Sequence, residues 1–137
     1  MRKGRLLNSE IVATLAKLGH TDQVVIADAG LPIPSGVIRI DLALIKGVPG
    51  FLETLKVMSG DMVIEKVILA EEIKENNGEI LDAILELLSE TPVEFVTHET
   101  FKSITKNSKA IIRTGECTAY ANIILQSGVD FGGDSYD

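Results

Sequence analysis

Cysteine is almost missing from this chain, since Cys117 stands alone among 137 residues. A lone thiol forms no internal disulfide and has no second Cys to give it a zinc-type spacing, so the sequence reads as that of an intracellular protein. No basic residue adjoins Cys117 to make it a nucleophile. Positive charge is also scarce: 13 Lys and Arg face 20 Asp and Glu, for a net charge of -7. Phosphate binding depends on basic side chains displacing counterions, so nucleic acid is disfavoured and an uncharged small molecule suits the surface better. No apolar run approaches the ~20 residues that a membrane helix requires. Met1-Arg2-Lys3-Gly4-Arg5 begins like the basic part of an export signal, but only Leu6 and Leu7 follow before Asn8-Ser9-Glu10; a cytoplasmic location is expected. Glycine-rich phosphate loops are missing, as are the His-x-x-x-His and Glu-x-x-His spacings of metal sites, so neither a dinucleotide nor a metal is expected. There is no internal repeat.

What is present suits one globular domain, with 45% hydrophobic and 24% charged residues. The expected boundaries are 1–131, followed by a small polar tail over 132–137. Asn8 or Ser9 caps a helix that carries Ile11, Val12, Leu15 and Leu18 on one face, with Gly19 as its left-handed terminator. The run Val24 to Ala27 reads as a buried strand, and residues 28–35, with Pro32 and Pro34, as an ordered loop. A largely buried strand is expected over 37–45. Residues 51–57 form a helix after Pro49, 62–70 a strand, 71–74 one helical turn, and 79–89 a helix with Ile80, Leu81, Ile84, Leu87 and Leu88 inward. Strand 93–97, helix 98–106 capped by Thr97, strand 110–113 and strand 120–125 complete the chain. This alternation predicts an α/β fold: a single-domain, three-layer-like sandwich with a mainly parallel central sheet flanked by helices.

Ligands gather at the carboxyl ends of strands in such sheets, and Asp28, His98 and the turn after Arg113 all follow strands. Gly19-His20-Thr21-Asp22 and Asp28-Ala29-Gly30 bracket the best buried strand with a histidine and a carboxylate. A histidine gives and takes protons near neutral pH, while Asp28 accepts hydrogen bonds from hydroxyl groups. Blander roles compete: His20 as a helix-capping residue, His98 as a surface residue opening a helix, Asp28 as an Asx turn. Tyr120 and Asn122 differ by two, so an extended segment would point a hydroxyl and an amide to one face, suited to sugar hydroxyls.

Several of these stretches lie together in a known pattern. Asn8, Gly19-His20-Thr21-Asp22, Ala27-Asp28-Ala29-Gly30-Leu31-Pro32, Ile40-Asp41-Leu42, Glu65-Lys66-Val67, His98-Glu99-x-Phe101-Lys102 and Arg113-Thr114-Gly115-Glu116 resemble the D-ribose pyranase and fucose mutarotase family, most closely its ribose branch. The resemblance runs in order from Asn8 to about Phe131. It departs at Ala119, where the family often has Pro, and in the added tail. It implies a cytoplasmic isomerase that interconverts the pyranose and furanose forms of free D-ribose without cofactor, as a homodecamer built from pentameric rings. The catalytic acid/base then falls on His20, and sugar contacts on Asp28, His98 and Tyr120-Ala121-Asn122. It also implies that neighbouring subunits share each pocket. The competing expectations are a metal-dependent hydrolase or isomerase using both histidines, and a non-catalytic sugar-binding oligomer.

Overall fold

Unbroken apolar runs have no polar face to offer water, so they settle where both faces of a sheet are covered. In the computed structural model, which describes residues 1–132, this places β1 (Gln23–Ala27), β3 (Ile64–Ala70), β5 (Ala110–Arg113) and β6 (Ile123–Ser127) in the interior of a six-stranded sheet. The shorter β2 (Ile38–Asp41) and β4 (Val93–Val96) form its edges, in the order β2-β5-β1-β6-β3-β4. Neighbours run parallel except on the two flanks of β6, which is antiparallel to both β1 and β3. The sheet is therefore mainly parallel with one reversed strand inserted beside its centre.

Helices cover both faces. α1 (Ser9–Lys17), α2 (Phe51–Ser59), α3 (Ile73–Asn76) and α4 (Gly78–Leu87) lie on one side, where Ile11, Phe51, Leu55, Met58, Ile73 and Ile84 pack against Val24, Ile26, Val67 and Leu69. α5 (His98–Thr105) and the segment around Leu31 cover the other, against Val25, Ala27, Ile68, Ile111 and Ile124. The strand residues alternate between the two clusters with the period of two that a pleated strand requires. The expected three-layer α/β domain is thus what the chain forms. Residues 133–137 of the expected tail lie outside the described residues.

Four local expectations need correction. The strand predicted over 37–45 stops at Asp41, whose carboxylate accepts a hydrogen bond from the Ala43 N–H at 3.0 Å and turns the chain in an Asx turn. Only Ile40 in it is buried, because an edge strand has one neighbour and Ile38 faces outward at 62% exposure. The helix α1 ends at Leu18 in extended backbone, and the positive φ expected at Gly19 appears instead at Thr21, φ 72°. Leu87 is exposed, since it sits at the margin of the apolar stripe centred on Ile84. The final strand begins at Ile123, so Tyr120 lies in a tight turn with φ 57°.

Candidate functional site

The parallel strands end together, so residues just past their carboxyl ends share one rim of the sheet. Asp28 follows β1 and His98 follows β4; the reversed β6 brings the residues before its start, Tyr120 to Asn122, to the same rim. Asn122 is buried and spans to Asp28 twice. Its Oδ1 accepts from the Asp28 backbone N–H at 2.8 Å, and its Nδ2 donates to the Asp28 carboxylate at 3.2 Å. The amide thereby fixes both the backbone and the side chain of the acid. Asp28 also accepts from the Gly30 N–H at 3.0 Å, the Asx turn that its place before Ala-Gly suggests.

Tyr120 meets His98 edge to face, with ring centroids 5.1 Å apart, and Phe101 lies stacked with the imidazole at 6.3 Å. Confined in this way, His98 Nδ1 is the one buried side-chain polar atom among the described residues that lacks a hydrogen-bond partner. A buried polar atom left unpaired is costly, and a ligand hydroxyl is the kind of group that satisfies it. The backbone N–H of His98 donates to both Glu72 carboxylate oxygens at 3.0 and 3.1 Å, which anchors the start of α5. Lys102, bonded to Glu99 at 2.8 Å, holds the Glu99 carboxyl below its usual range.

Tyr120 and Asn122 do not share a face of a strand as predicted. The Asn122 N–H bonds to the Tyr120 carbonyl at 2.9 Å, so the pair spans a turn in which the buried Ala121 offers only backbone. Asn77 holds that turn from outside by donating to the Ala119 carbonyl at 2.8 Å and the Thr118 hydroxyl at 2.9 Å. Beside Asp28 opens a cavity of about 460 Å³ walled by Gly30, Glu116, Cys117, Thr118 and Ala119. The Glu116 carboxylate is engaged: it accepts from the Phe51 N–H at 3.0 Å and so caps α2, whose own Gly50 has no side chain to do so.

The Arg113 turn belongs to the scaffold. Its guanidinium donates to the Ala29 carbonyl at 3.0 Å and to both Asp41 oxygens at 3.1 and 3.2 Å. Of the three strand ends expected to converge, two therefore carry open chemistry and the third braces the loop after Asp28.

His20 is on the opposite rim. It precedes β1 whereas Asp28 follows it, and five strand residues at about 3.3 Å each put roughly 15 Å between the two ends. Its Nε2 lies 2.8 Å from a Glu65 carboxylate oxygen, and its side chain is 55% exposed. Gln126 donates to the other Glu65 oxygen at 2.8 Å, and Gln23 donates to Gln126 at 3.0 Å. The Gln126 hydrogen bond, then that from His20, holds the Glu65 carboxyl below its usual range. Within one chain the candidate residues thus fall into two groups: His20 with Glu65 on one rim, and Asp28, His98, Tyr120 and Asn122 on the other. A single metal ion held by both histidines of one chain is incompatible with that separation. Among the described residues no three His, Cys, Asp or Glu side chains gather as metal ligands. No helix among the described residues is long and apolar enough to cross a membrane.

Sequence reasoning did not single out Gln23, Gln126 or Glu72. Glu65 was visible only as part of the Glu65-Lys66-Val67 stretch, since nothing local marks its distant partners.

Comparison with known proteins gives a consistent result. The profile of the RbsD / FucU transport protein family matches residues 1–130. A D-ribose pyranase from Bacillus cereus (strain G9842) is 61% identical over 131 residues, 96% of this chain and 100% of that protein. One from Geobacillus thermodenitrificans (strain NG80-2) is 54% identical over 131 residues, covering 96% and 99%. Among solved structures, Bacillus subtilis RbsD complexed with D-ribose has a TM-score of 0.93 at 53% identity, covering 96% of this chain and 100% of that one. A fucose mutarotase from Streptococcus pneumoniae, solved with L-fucose, has a TM-score of 0.81 at 23% identity, covering 95% and 99%, and shares the fold.

Proposed function

The chain belongs to the RbsD / FucU transport protein family, and on that premise we propose that it is an isomerase of free sugar rings, interconverting the β-pyranose and β-furanose forms of D-ribose. The single observation that carries this reading is the near full-length identity of 54–61% to D-ribose pyranases, matched by the fold of a ribose-bound relative. The reaction takes place in the cytoplasm and uses no cofactor.

The chemistry asks for little. A base takes the proton from the anomeric hydroxyl, the C1 to ring-oxygen bond breaks as that oxygen is protonated, and an open-chain aldehyde results. The C4 hydroxyl then attacks C1, loses its proton, and the carbonyl oxygen regains one, closing the furanose. One imidazole can serve each transfer in turn, and acid/base catalysis supplies ~10²- to 10⁴-fold. His20 moves the protons. Asp28, fixed by Asn122, accepts from sugar hydroxyls; the unpaired His98 Nδ1 takes another; Tyr120 and the backbone at Ala121 border the sugar.

These roles require His20 to meet groups from the opposite rim, and a second copy of the chain is what brings the two rims together. Each pocket is therefore shared by two subunits of a ring-forming homo-oligomer, a decamer of two pentamers. Self-association is favoured by the apolar edge beside β2, where Ile38, Leu44, Ile45 and Val48 are exposed at 46–77%. His20→Ala should lower pyranose-to-furanose exchange of ribose, read by saturation-transfer NMR, toward the rate in buffer. Undiminished exchange would remove His20 from the mechanism.

A further inference from the structure

We infer that Glu65 is a positioning residue that holds His20 in the tautomer protonated at Nε2, leaving Nδ1 as the nitrogen that exchanges protons with the sugar. This rests on the reading of His20 as the acid/base, and goes beyond it by naming the reacting atom and the group that selects it.

The backbone aims Glu65 at this task. Pairing between β3 and β6 is regular except between Ile64 and Lys66, where Ile64 pairs with Ser127 and Lys66 with Gln126. Glu65 is the residue caught in that irregularity, and a bulge of this kind re-aims the side chain it displaces. Gly128 gives it room, for a Cβ there would lie 3.2 Å from the Glu65 Cβ and 3.1 Å from Val63 Cγ1.

The donors are ordered along one line. Gln23 and Gln126 are opposite each other on β1 and β6, and Gln23 Nε2 donates to Gln126 Oε1. With its oxygen engaged, Gln126 presents its NH₂ to Glu65 Oε1; the flipped amide would set oxygen against carboxylate. Glu65 Oε2 is then a pure acceptor 2.8 Å from His20 Nε2, and only an N–H satisfies it. The histidine is fixed from the backbone side as well. Thr21, strained at φ 72°, donates its N–H to the Ser127 carbonyl at 2.9 Å; Ser127 donates back to Asp22 at 2.8 Å, and the Asp22 carboxylate accepts from Gly19 at 2.8 Å. The nearby cation Lys66 is paired with Glu94 at 3.3 Å.

The line of donors makes Glu65→Gln an informative variant. Gln126 still offers NH₂, so the new amide must turn its oxygen to Gln126 and its own NH₂ to His20. That forces Nε2 to accept and moves the proton to Nδ1. The test is ¹⁵N NMR of the histidine-labelled full-length protein at alkaline pH, where the ring is neutral, with ribose exchange measured against ribose concentration. The chain has two histidines, and the His20→Ala spectrum assigns them. The wild-type protein should show Nε2–H and Glu65→Gln should show Nδ1–H. In that variant kcat should fall about 10- to 100-fold, with KM changed less than about twofold. A wild-type ring protonated at Nδ1 overturns the inference whether or not the variant folds. So does a variant that switches tautomer yet keeps its kcat, or one that keeps the wild-type tautomer. Undiminished exchange in His20→Ala strikes instead at the underlying assignment of His20.

Discussion

Asn122 offers the sharpest check of the geometry around Asp28, because one buried amide makes two bonds of opposite sense to one residue. Asn122→Ala removes both. It leaves the Asp28 N–H without its 2.8 Å acceptor, which costs about 1–3 kcal/mol at any pH. Asn122→Asp keeps the acceptor and replaces the NH₂ with a carboxylate oxygen, 3.2 Å from the Asp28 oxygen in the present geometry. Two unit charges at that distance repel by about 5 kcal/mol at an effective dielectric of 20, and by about 1 kcal/mol at the bulk-water limit. Asp28 is half-buried, so the cost falls between these. In the unfolded chain the two carboxylates drift apart and the repulsion vanishes. The sign follows: Asn122→Asp should match wild type in acid, where the carboxylates are protonated, and lose stability as pH rises through the carboxylate range. Asn122→Ala should be weaker than wild type at every pH, in acid as well. Urea unfolding at one fixed protein concentration over a pH series measures both, since any self-association would make stability concentration-dependent. If Asn122→Asp tracked wild type at neutral and alkaline pH, the 3.2 Å contact and the argument built on it would be wrong.

Other tests address the scaffold, the acid side and the assembly. Gly115→Ala would set a Cβ 2.6 Å from the Ile45 carbonyl and from the Val48 N and O, all backbone; a loss of at least about 1–3 kcal/mol is expected in thermal or urea unfolding. The lowered Glu65 carboxyl contributes stability that is present above its unfolded value and lost as pH falls through its folded one, so Gln126→Ala should raise its titration midpoint in ¹³C carboxyl NMR and weaken the acid dependence. On the proposed shared pocket, mixing His20→Ala and Tyr120→Ala chains under conditions that exchange subunits should restore part of the ribose exchange, since some pockets would then receive both intact halves; no recovery would mean self-contained pockets.

The general plan of the molecule was legible because its strongest signals are local. The run Val24 to Ala27 could only be an interior strand, Asn8 and Thr97 cap their helices through side-chain bonds to Ile11 and Thr100, and alternation of elements gave the class. Edges were harder. Apolar residues at Ile38, Leu44 and Ile45 look like core in a sequence, while a strand with one neighbour leaves them uncovered. At the candidate site, His20, Asp28 and His98 stood out by type and by their place at strand ends. The separation of His20 from Asp28 was legible as well, since the two bracket β1; what was not is that β6 enters the sheet reversed and so brings Tyr120 to Asn122 to the Asp28 rim. Tyr120 was assigned to a strand because the positive φ that makes it a turn residue has no mark in a side chain that seldom adopts it. The ties that matter most, Glu65 to His20 and Asn122 to Asp28, span 45 and 94 residues. Such pairs become visible only when the sheet order is known.

That reversed strand has an outcome for mixed populations of chains. β6 works as a strut with a tool at either tip, Asn122 at its head and Gln126 near its foot. Where adjoining copies each complete the other's pocket, a lesion confined to one tip spoils one catalytic centre per defective copy. A lesion in the shaft, at Ile124 for instance, misaligns both tips and spoils two. Blending such chains with sound ones would make activity decline as the square of the sound fraction, whereas a tip lesion gives a straight line.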